Sequence, residues 1–173
     1  AVSDEVLAAN YGTDLSIERY SGADGSFLGS VPLTPAEGQP ELQALSGFAI
    51  GAASNGAIYL GDTSPFFPLW KTDSHTSPTI KNVAQPGQPF AFARNLSIVG
   101  AGRNTYIGGI GATDNGPAEI WKSDDDQNTT FSLWKTIPNA GKSGIGISPV
   151  EDGNPPEFVA AANVVSNPSL LRL

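Results

Sequence analysis

The sequence contains no cysteine and no methionine, and it has one histidine among its 173 residues. Without cysteine there is no disulfide, no thiolate zinc ligand and no thiol nucleophile. A single imidazole excludes the paired histidines of most zinc enzymes, and no nucleophile motif accompanies it. No apolar run approaches the roughly 18 residues of a membrane span. These absences favour a protein that is not an enzyme and does not insert into a membrane.

Positive charge is also scarce. The chain has nine Lys and Arg residues and seventeen Asp and Glu residues, which gives a formal net charge of −8. An acidic surface repels phosphate backbones and anionic lipid headgroups, so nucleic acid and membrane surfaces are excluded as partners. Charged residues make up only 15% of the chain, and small polar residues are abundant, a composition that predicts a secreted or cell-surface protein. The start at Ala1 without a methionine is typical of a processed product.

Glycine and proline are plentiful instead, with 20 and 14 residues. Each of them interrupts a long helix, so a helical bundle is excluded. Apolar residues account for 39% of the chain, which is enough to build a core. The composition therefore predicts a single all-β domain spanning residues 1–173.

A repeat of roughly 50 residues organises the chain. Leu69-Trp70-Lys71-Thr72 recurs as Ile120-Trp121-Lys122-Ser123, and segments 17–20 and 170–173 have the same pattern of apolar and basic residues. Three further series of short apolar runs keep the same phase, and turn dipeptides such as Asn55-Gly56 separate them. This spacing is typical of the four-stranded blades of a β-propeller.

The repeat predicts a β-propeller, or an arc of one, with about four blades of antiparallel strands at residues 1–44, 45–92, 93–141 and 142–173. The innermost strand is missing from the first blade and the outermost strand from the last. The strand at Ser169 to Leu173 is then left with an unpaired edge. We expect self-association through these terminal strand edges, as a filament subunit or with the missing part of a larger propeller.

An acidic stretch follows the third-blade tryptophan motif. Asp124, Asp126 and Asn128 alternate as the oxygen ligands of a calcium loop do, but the glycine and distal glutamate of an EF-hand are absent. The alternative is a structural turn like the Asp-box between the third and fourth strands of a propeller blade. The turn is the favoured interpretation, and calcium is the only cofactor that the sequence suggests.

The large aromatic residues have two interpretations. They could form a stacking platform for sugars, or they could pack between blades. Their repeated phase inside strands favours the core for all five, namely Tyr59, Trp70, Tyr106, Trp121 and Trp134.

The basic residues at the same phase, Lys71, Lys122 and Arg172, are expected to reach solvent or to pair with carboxylates. His75 lies in a polar stretch that predicts an exposed loop without a catalytic role. Asp62 and Asp114 are predicted turn formers. Asn95 and Asn128 begin glycosylation sequons, of which only the second lies in a predicted loop.

The chain resembles a group of secreted bacterial β-propeller proteins of unknown function. The resemblance rests on Gly100 and Gly102 followed by Thr105, on the turn from Asp126 to Phe131, and on the order of the strand motifs around them. It implies the propeller fold and an extracellular location, and it assigns no catalytic residue. The sequence therefore predicts a non-enzymatic extracellular binding or scaffold propeller, with a carbohydrate-binding (lectin) or carbohydrate-active propeller as the alternative.

Overall fold

The structure is a computed structural model, which describes residues 4–10, 14–39, 49–53, 55–61, 69–83, 97–110, 117–124, 130–138, 145–151, 157–164 and 167–172. Within these residues the chain is all-β and contains fifteen strands in four sheets. The all-β prediction is thus confirmed. None of the described segments forms a helix of the length and hydropathy that crossing a membrane requires.

The sheets follow one another along the chain. The first sheet contains β1 (Glu5–Asn10), β2 (Ser16–Ser21) and β3 (Phe27–Pro32). The second has the order β4-β8-β7-β6-β5, from β4 (Thr34–Pro35), β5 (Ala49–Ala52), β6 (Ile58–Gly61), β7 (Leu69–Thr72) and β8 (Thr79–Asn82). The third contains β9 (Ser97–Ala101), β10 (Asn104–Ile110), β11 (Ala118–Ser123) and β12 (Phe131–Ile137). The fourth contains β13 (Ile145–Glu151), β14 (Glu157–Val164) and β15 (Asn167–Arg172).

Tight turns connect the antiparallel strands where the sequence predicts them. Gly25 and Gly56 have φ angles of 71° and 86°, which a residue with a side chain adopts at a cost. The Asn55 side chain accepts a hydrogen bond from the Ala57 amide at 3.1 Å. The Asp24-Gly25 and Asn55-Gly56 turns are therefore confirmed. The predicted turns at Asn115-Gly116 and Asp152-Gly153 lie outside the described residues.

One strand departs from the predicted blades. The two-residue strand β4 falls within the predicted first blade, but it pairs in parallel with β8 of the second sheet. The Thr34 amide donates to the Pro78 carbonyl at 2.8 Å, and the Ala36 amide donates to the Ile80 carbonyl at 2.9 Å. These bonds cover the outer edge of β8, which would otherwise expose unpaired backbone groups.

Consecutive sheets pack face to face through three apolar clusters. Ile17 of β2 and Leu33, which directly follows β3, pack with Ile58, Leu60 and Trp70 of the second sheet. A second cluster joins the second sheet to the third through Tyr59, Leu69, Ile98, Ile107 and Phe131. A third cluster joins the third sheet to the fourth through Tyr106, Ala118, Ile120 and Ile147. We call the face that meets the following sheet the forward face, and the opposite one the rear face.

One edge strand of each sheet lies beside an edge strand of the next. Strand β5 contacts β9, β9 contacts β13, and β1 also contacts β5. A Cβ atom on Gly51 would collide with the backbone of Ile98, so glycine is required where β5 meets β9. The Ser97 hydroxyl donates to the Ile147 carbonyl at 3.1 Å and accepts from the Ile147 amide at 3.0 Å, which ties β9 to β13.

The large aromatic residues that recur with the repeat are core residues, as predicted. Tyr59, Trp70 and Tyr106 are buried. Trp121 and Trp134 are half-buried and pack against the second and third of these sheet-to-sheet clusters. The Trp134 ring meets the Tyr106 ring edge to face, with centroids 5.3 Å apart. None of the three buried rings is available as a stacking platform for sugars.

Candidate functional site

Three charged or titratable side chains meet at the seam between the first and second sheets. Arg19 donates from Nε and Nη2 to the two carboxylate oxygens of Glu5, each at 2.8 Å. The His75 Nε2 atom lies 3.6 Å from Glu5 Oε2. The side chains of Glu5, Arg19 and His75 are 13%, 24% and 23% exposed, so all three keep some contact with solvent. We call these residues the seam cluster.

The strand register places Glu5 and Arg19 together. Leu7 is directly opposite Arg19 across the β1–β2 pair, and Glu5 is two residues before Leu7 on the same face. Arg19 therefore reaches Glu5 along a diagonal. Leu7 and Ile17 on this face pack against the second sheet, which places the ion pair at the end of the apolar seam.

His75 reaches the cluster from the loop between β7 and β8. The Thr72 hydroxyl donates to the Ser74 carbonyl, and the Ser77 amide donates to the same carbonyl at 3.2 Å. These bonds turn the loop so that His75 is half-buried beside Glu5. The predicted exposed loop is therefore wrong at His75, because the loop folds back towards the first sheet.

The bond to Glu5 favours the charged form of Arg19. The hydrogen bond to Glu5 raises the pKa of the Arg19 guanidinium above its ordinary value. A bidentate arginine–carboxylate pair is planar and fixes both side chains in one orientation. The pair thus holds the Arg19 guanidinium and the Glu5 carboxylate at fixed positions in the seam cluster.

The basic residues of the repeat occupy one register position on successive forward faces. Arg19, Lys71 and Lys122 lie opposite Leu7, Tyr59 and Tyr106 in the first, second and third sheets. Lys71 and Lys122 are half-buried, and the expectation that they reach solvent or pair with carboxylates stays a prediction. Arg172 lies opposite Val159 and thus holds the same position in the fourth sheet.

Sequence reasoning missed the acidic partner. Each basic residue lies opposite a partner on the neighbouring strand, and we compare the residue two positions before that partner. In the first three sheets this residue is Glu5, Ala57 and Asn104. In the fourth sheet it is Glu157, two positions before Val159. A search for acidic residues in phase with the basic series would have found both glutamates.

The predicted calcium ligands are only partly within the described residues. Asp124 is exposed, and its carboxylate accepts a hydrogen bond from the Ser132 hydroxyl at 2.5 Å. Its amide donates to the Thr130 carbonyl at 2.8 Å, which closes the loop. Asp126 and Asn128 lie outside the described residues, as do Asp62, Asp114 and Asn95. Among the residues that are described, no three acidic or histidine side chains converge as metal ligands.

The comparisons with known proteins give a fold but no family. No family model matches the sequence, and no curated protein matches it. Among solved structures, the crystal structure of a triple arginine-to-alanine mutant of AofleA from Arthrobotrys oligospora is similar, with a TM-score of 0.60 and 16% sequence identity. The match covers 98% of this chain and 54% of AofleA, so this chain spans about half the length of that protein.

Proposed function

We propose that this chain is a non-enzymatic binding or scaffold protein built as an arc of β-propeller blades. Support comes from the order of the sheets, since each apolar cluster joins one sheet only to the next along the chain. The side-by-side edge strands β1, β5, β9 and β13 fit blades arranged around an axis. The similarity to AofleA over nearly the whole chain is consistent with this arrangement.

The single observation that carries a binding function is the seam cluster. Its residues come from two sheets that a buried apolar cluster holds together, so the site is formed before a ligand arrives. Polar groups fixed on rigid strands bind without a further loss of side-chain freedom. A seam between blades is therefore suited to recognising a ligand, and binding there requires no chemical reaction.

A carbohydrate is the ligand that this chemistry favours, which makes a lectin the second candidate. Sugar hydroxyls both donate and accept hydrogen bonds, and the seam cluster brings a guanidinium group, a carboxylate and an imidazole ring together. Glu5 offsets the charge of Arg19, and the chain has a net charge of −8, so an anionic ligand is disfavoured. A secreted or cell-surface location belongs to the same proposal, because carbohydrates are displayed there.

The test is a glycan array probed with the intact chain and with two variants. We expect binding to neutral glycans, loss of the signal in Arg19→Ala, and an unchanged signal in Arg103→Ala. Arg103 is a suitable control because it is exposed in the turn between β9 and β10, away from the seam.

A second readout separates binding from catalysis. The bound glycan should be recovered unchanged after long incubation. Release of a shortened or modified sugar would identify a carbohydrate-active enzyme and overturn the non-enzymatic proposal. An array without any Arg19-dependent signal would reject the carbohydrate ligand.

A further inference from the structure

The rear face of the first sheet carries exposed apolar and aromatic side chains. Val6 and Phe27 are each 58% exposed, and both are cross-strand partners of Tyr20. The Phe27 and Tyr20 rings meet edge to face with centroids 5.5 Å apart. We call Val6, Tyr20 and Phe27 the rear aromatic patch. An exposed apolar patch is typical of an interaction surface, and two rings in contact give this one a defined shape.

A carboxylate borders the rear aromatic patch. Glu18 lies two residues before Tyr20 on the same face of β2, and the Tyr20 hydroxyl donates to Glu18 Oε2 at 2.6 Å. The Asn10 amide donates to Glu18 Oε1 at 2.7 Å. Both donors are uncharged, and a carboxylate oxygen can accept more than one hydrogen bond. These bonds orient Glu18 beside the Tyr20 ring without neutralising its charge.

Glu18 stands where the next two sheets have a tryptophan. In the second and third sheets, the residue directly before the register-matched lysine is Trp70 or Trp121. In the first sheet, the residue directly before Arg19 is Glu18. Both tryptophans pack in the apolar clusters with the preceding sheet, where a carboxylate would lose its hydration at a cost in free energy. The rear face of the first sheet therefore differs from the faces that pack sheet on sheet, and it differs by a negative charge.

The charge of the first sheet favours a cationic partner. Residues 1–35 contain one basic residue and five acidic residues. The basic residue is Arg19, which lies on the forward face and pairs with Glu5. Three of the acidic residues are exposed aspartates, namely Asp4, Asp14 and Asp24. A cationic group is thus attracted to this sheet, and an anionic one is repelled.

We propose that the rear face of the first sheet binds an arginine side chain on the surface of a partner protein. The guanidinium group lies against the rings of the rear aromatic patch and donates to the Glu18 carboxylate beside them. Arginine suits both contacts, because its planar group stacks on aromatic rings and forms forked hydrogen bonds with carboxylates. Val6 supplies apolar surface for the methylene stem. The seam cluster lies on the forward face, so this inference goes beyond the proposed glycan binding and does not depend on it.

An NMR titration of the intact chain with short acetylated and amidated peptides tests the proposal. The peptides differ only at a central residue, which is arginine, lysine or citrulline, the uncharged analogue of arginine, between flanking alanines. We expect the arginine peptide to shift the Val6 methyl signals and the Tyr20 and Phe27 ring signals. It should bind about fivefold to tenfold more tightly than the citrulline peptide. The lysine peptide should bind more weakly than the arginine peptide, because an ammonium group cannot form the forked bonds.

Two variants of the chain test the two contacts separately. Glu18→Gln removes the charge and keeps an oxygen acceptor for Tyr20, whereas Phe27→Leu removes the ring and keeps an apolar side chain. Each should weaken binding of the arginine peptide by about twofold to fivefold. Glu37→Gln is the matched control, because it removes the same charge from an exposed residue that follows β4 at the edge of the second sheet. Its affinity should equal that of the wild type.

Three results would overturn the proposal. They are equal affinity for the arginine and citrulline peptides, wild-type affinity in Glu18→Gln, and patch signals that stay in place at every peptide concentration. Shifts of the same signals with protein concentration in the absence of peptide would assign the face to a second copy instead. A dispersed amide spectrum shows that each variant is folded. Loss of peptide binding with retained glycan binding would reject only this inference.

Discussion

At the scale of single residues, the Glu5–Arg19 pair joins β1 to β2 beside the seam. Replacing Glu5 with glutamine keeps the size of the side chain and removes its charge. We expect the Arg19 Nε proton to exchange slowly with solvent in the wild type and much faster in Glu5→Gln, because the charge-assisted bond is lost. Hydrogen exchange followed by NMR measures this, and equal rates would show that the pair is not formed in solution.

Asp24 gives a prediction for pH. Hydrogen bonds from the Ser26 amide and from the Ser21 and Ser26 hydroxyls lower the pKa of Asp24 below its ordinary value of 3.8. A group whose pKa is lower in the folded state contributes stability above the pKa of the unfolded chain. That contribution is lost as the pH falls below about 3.8 through the folded-state pKa.

NMR titration of the Asp24 carboxyl group checks this directly. The midpoint should lie below that of an aspartate in an unfolded peptide. In Asp24→Asn the stability of the β2–β3 turn should no longer depend on pH in this range. A midpoint at or above the ordinary value would mean that the turn bonds do not form.

At the scale of strands, Gly51 of β5 lies where the second and third sheets approach each other closely. Gly51→Ala should lower the free energy of unfolding by about 1–3 kcal/mol, because the new methyl group meets the Ile98 backbone. Gly146→Ala in β13 is the matched control, because nothing lies within 4 Å of a Cβ atom there. Urea unfolding compares the two, and equal losses would contradict the close approach of β5 and β9.

The buried tryptophan of β7 gives a second prediction at this scale. Trp70 is 1% exposed, so Trp70→Ala should cost about 3–5 kcal/mol of unfolding free energy. Leu133→Ala, at an exposed position, should change it by less than about 0.5 kcal/mol. Urea denaturation midpoints measure both. A small effect at Trp70 would place it outside the core.

The strands were predictable because short apolar runs and turn dipeptides are local signals. The β2, β7 and β11 strands follow directly from the motif with the basic residue, and Gly25 and Gly56 lie in the β2–β3 and β5–β6 turns as expected. The parallel pairing of β4 was not predictable, because Pro35 meets Ile80 across a long stretch of sequence. The position of His75 depends on the same kind of distant contact, with Glu5.

At the scale of the whole molecule, each seam between consecutive sheets is a unit of packing, and we propose that the first seam is also a site of recognition. The first seam combines a buried apolar cluster with a polar end at Glu5, Arg19 and His75. The glutamate–arginine pattern recurs in register only in the fourth sheet among the described strands. Packing positions and the Glu5–Arg19 pair follow the phase of the repeat, whereas His75 joins the polar end through a contact that is distant in sequence.

The most direct test of the central claim is an NMR titration of the intact chain with the strongest ligand from the glycan array. We predict that the Arg19 Nε–H and His75 ring resonances shift and saturate together, while the Arg103 Nε–H resonance stays in place. A ligand that binds and shifts residues elsewhere, with Arg19 and His75 unchanged, would contradict the claim that this seam is the binding site.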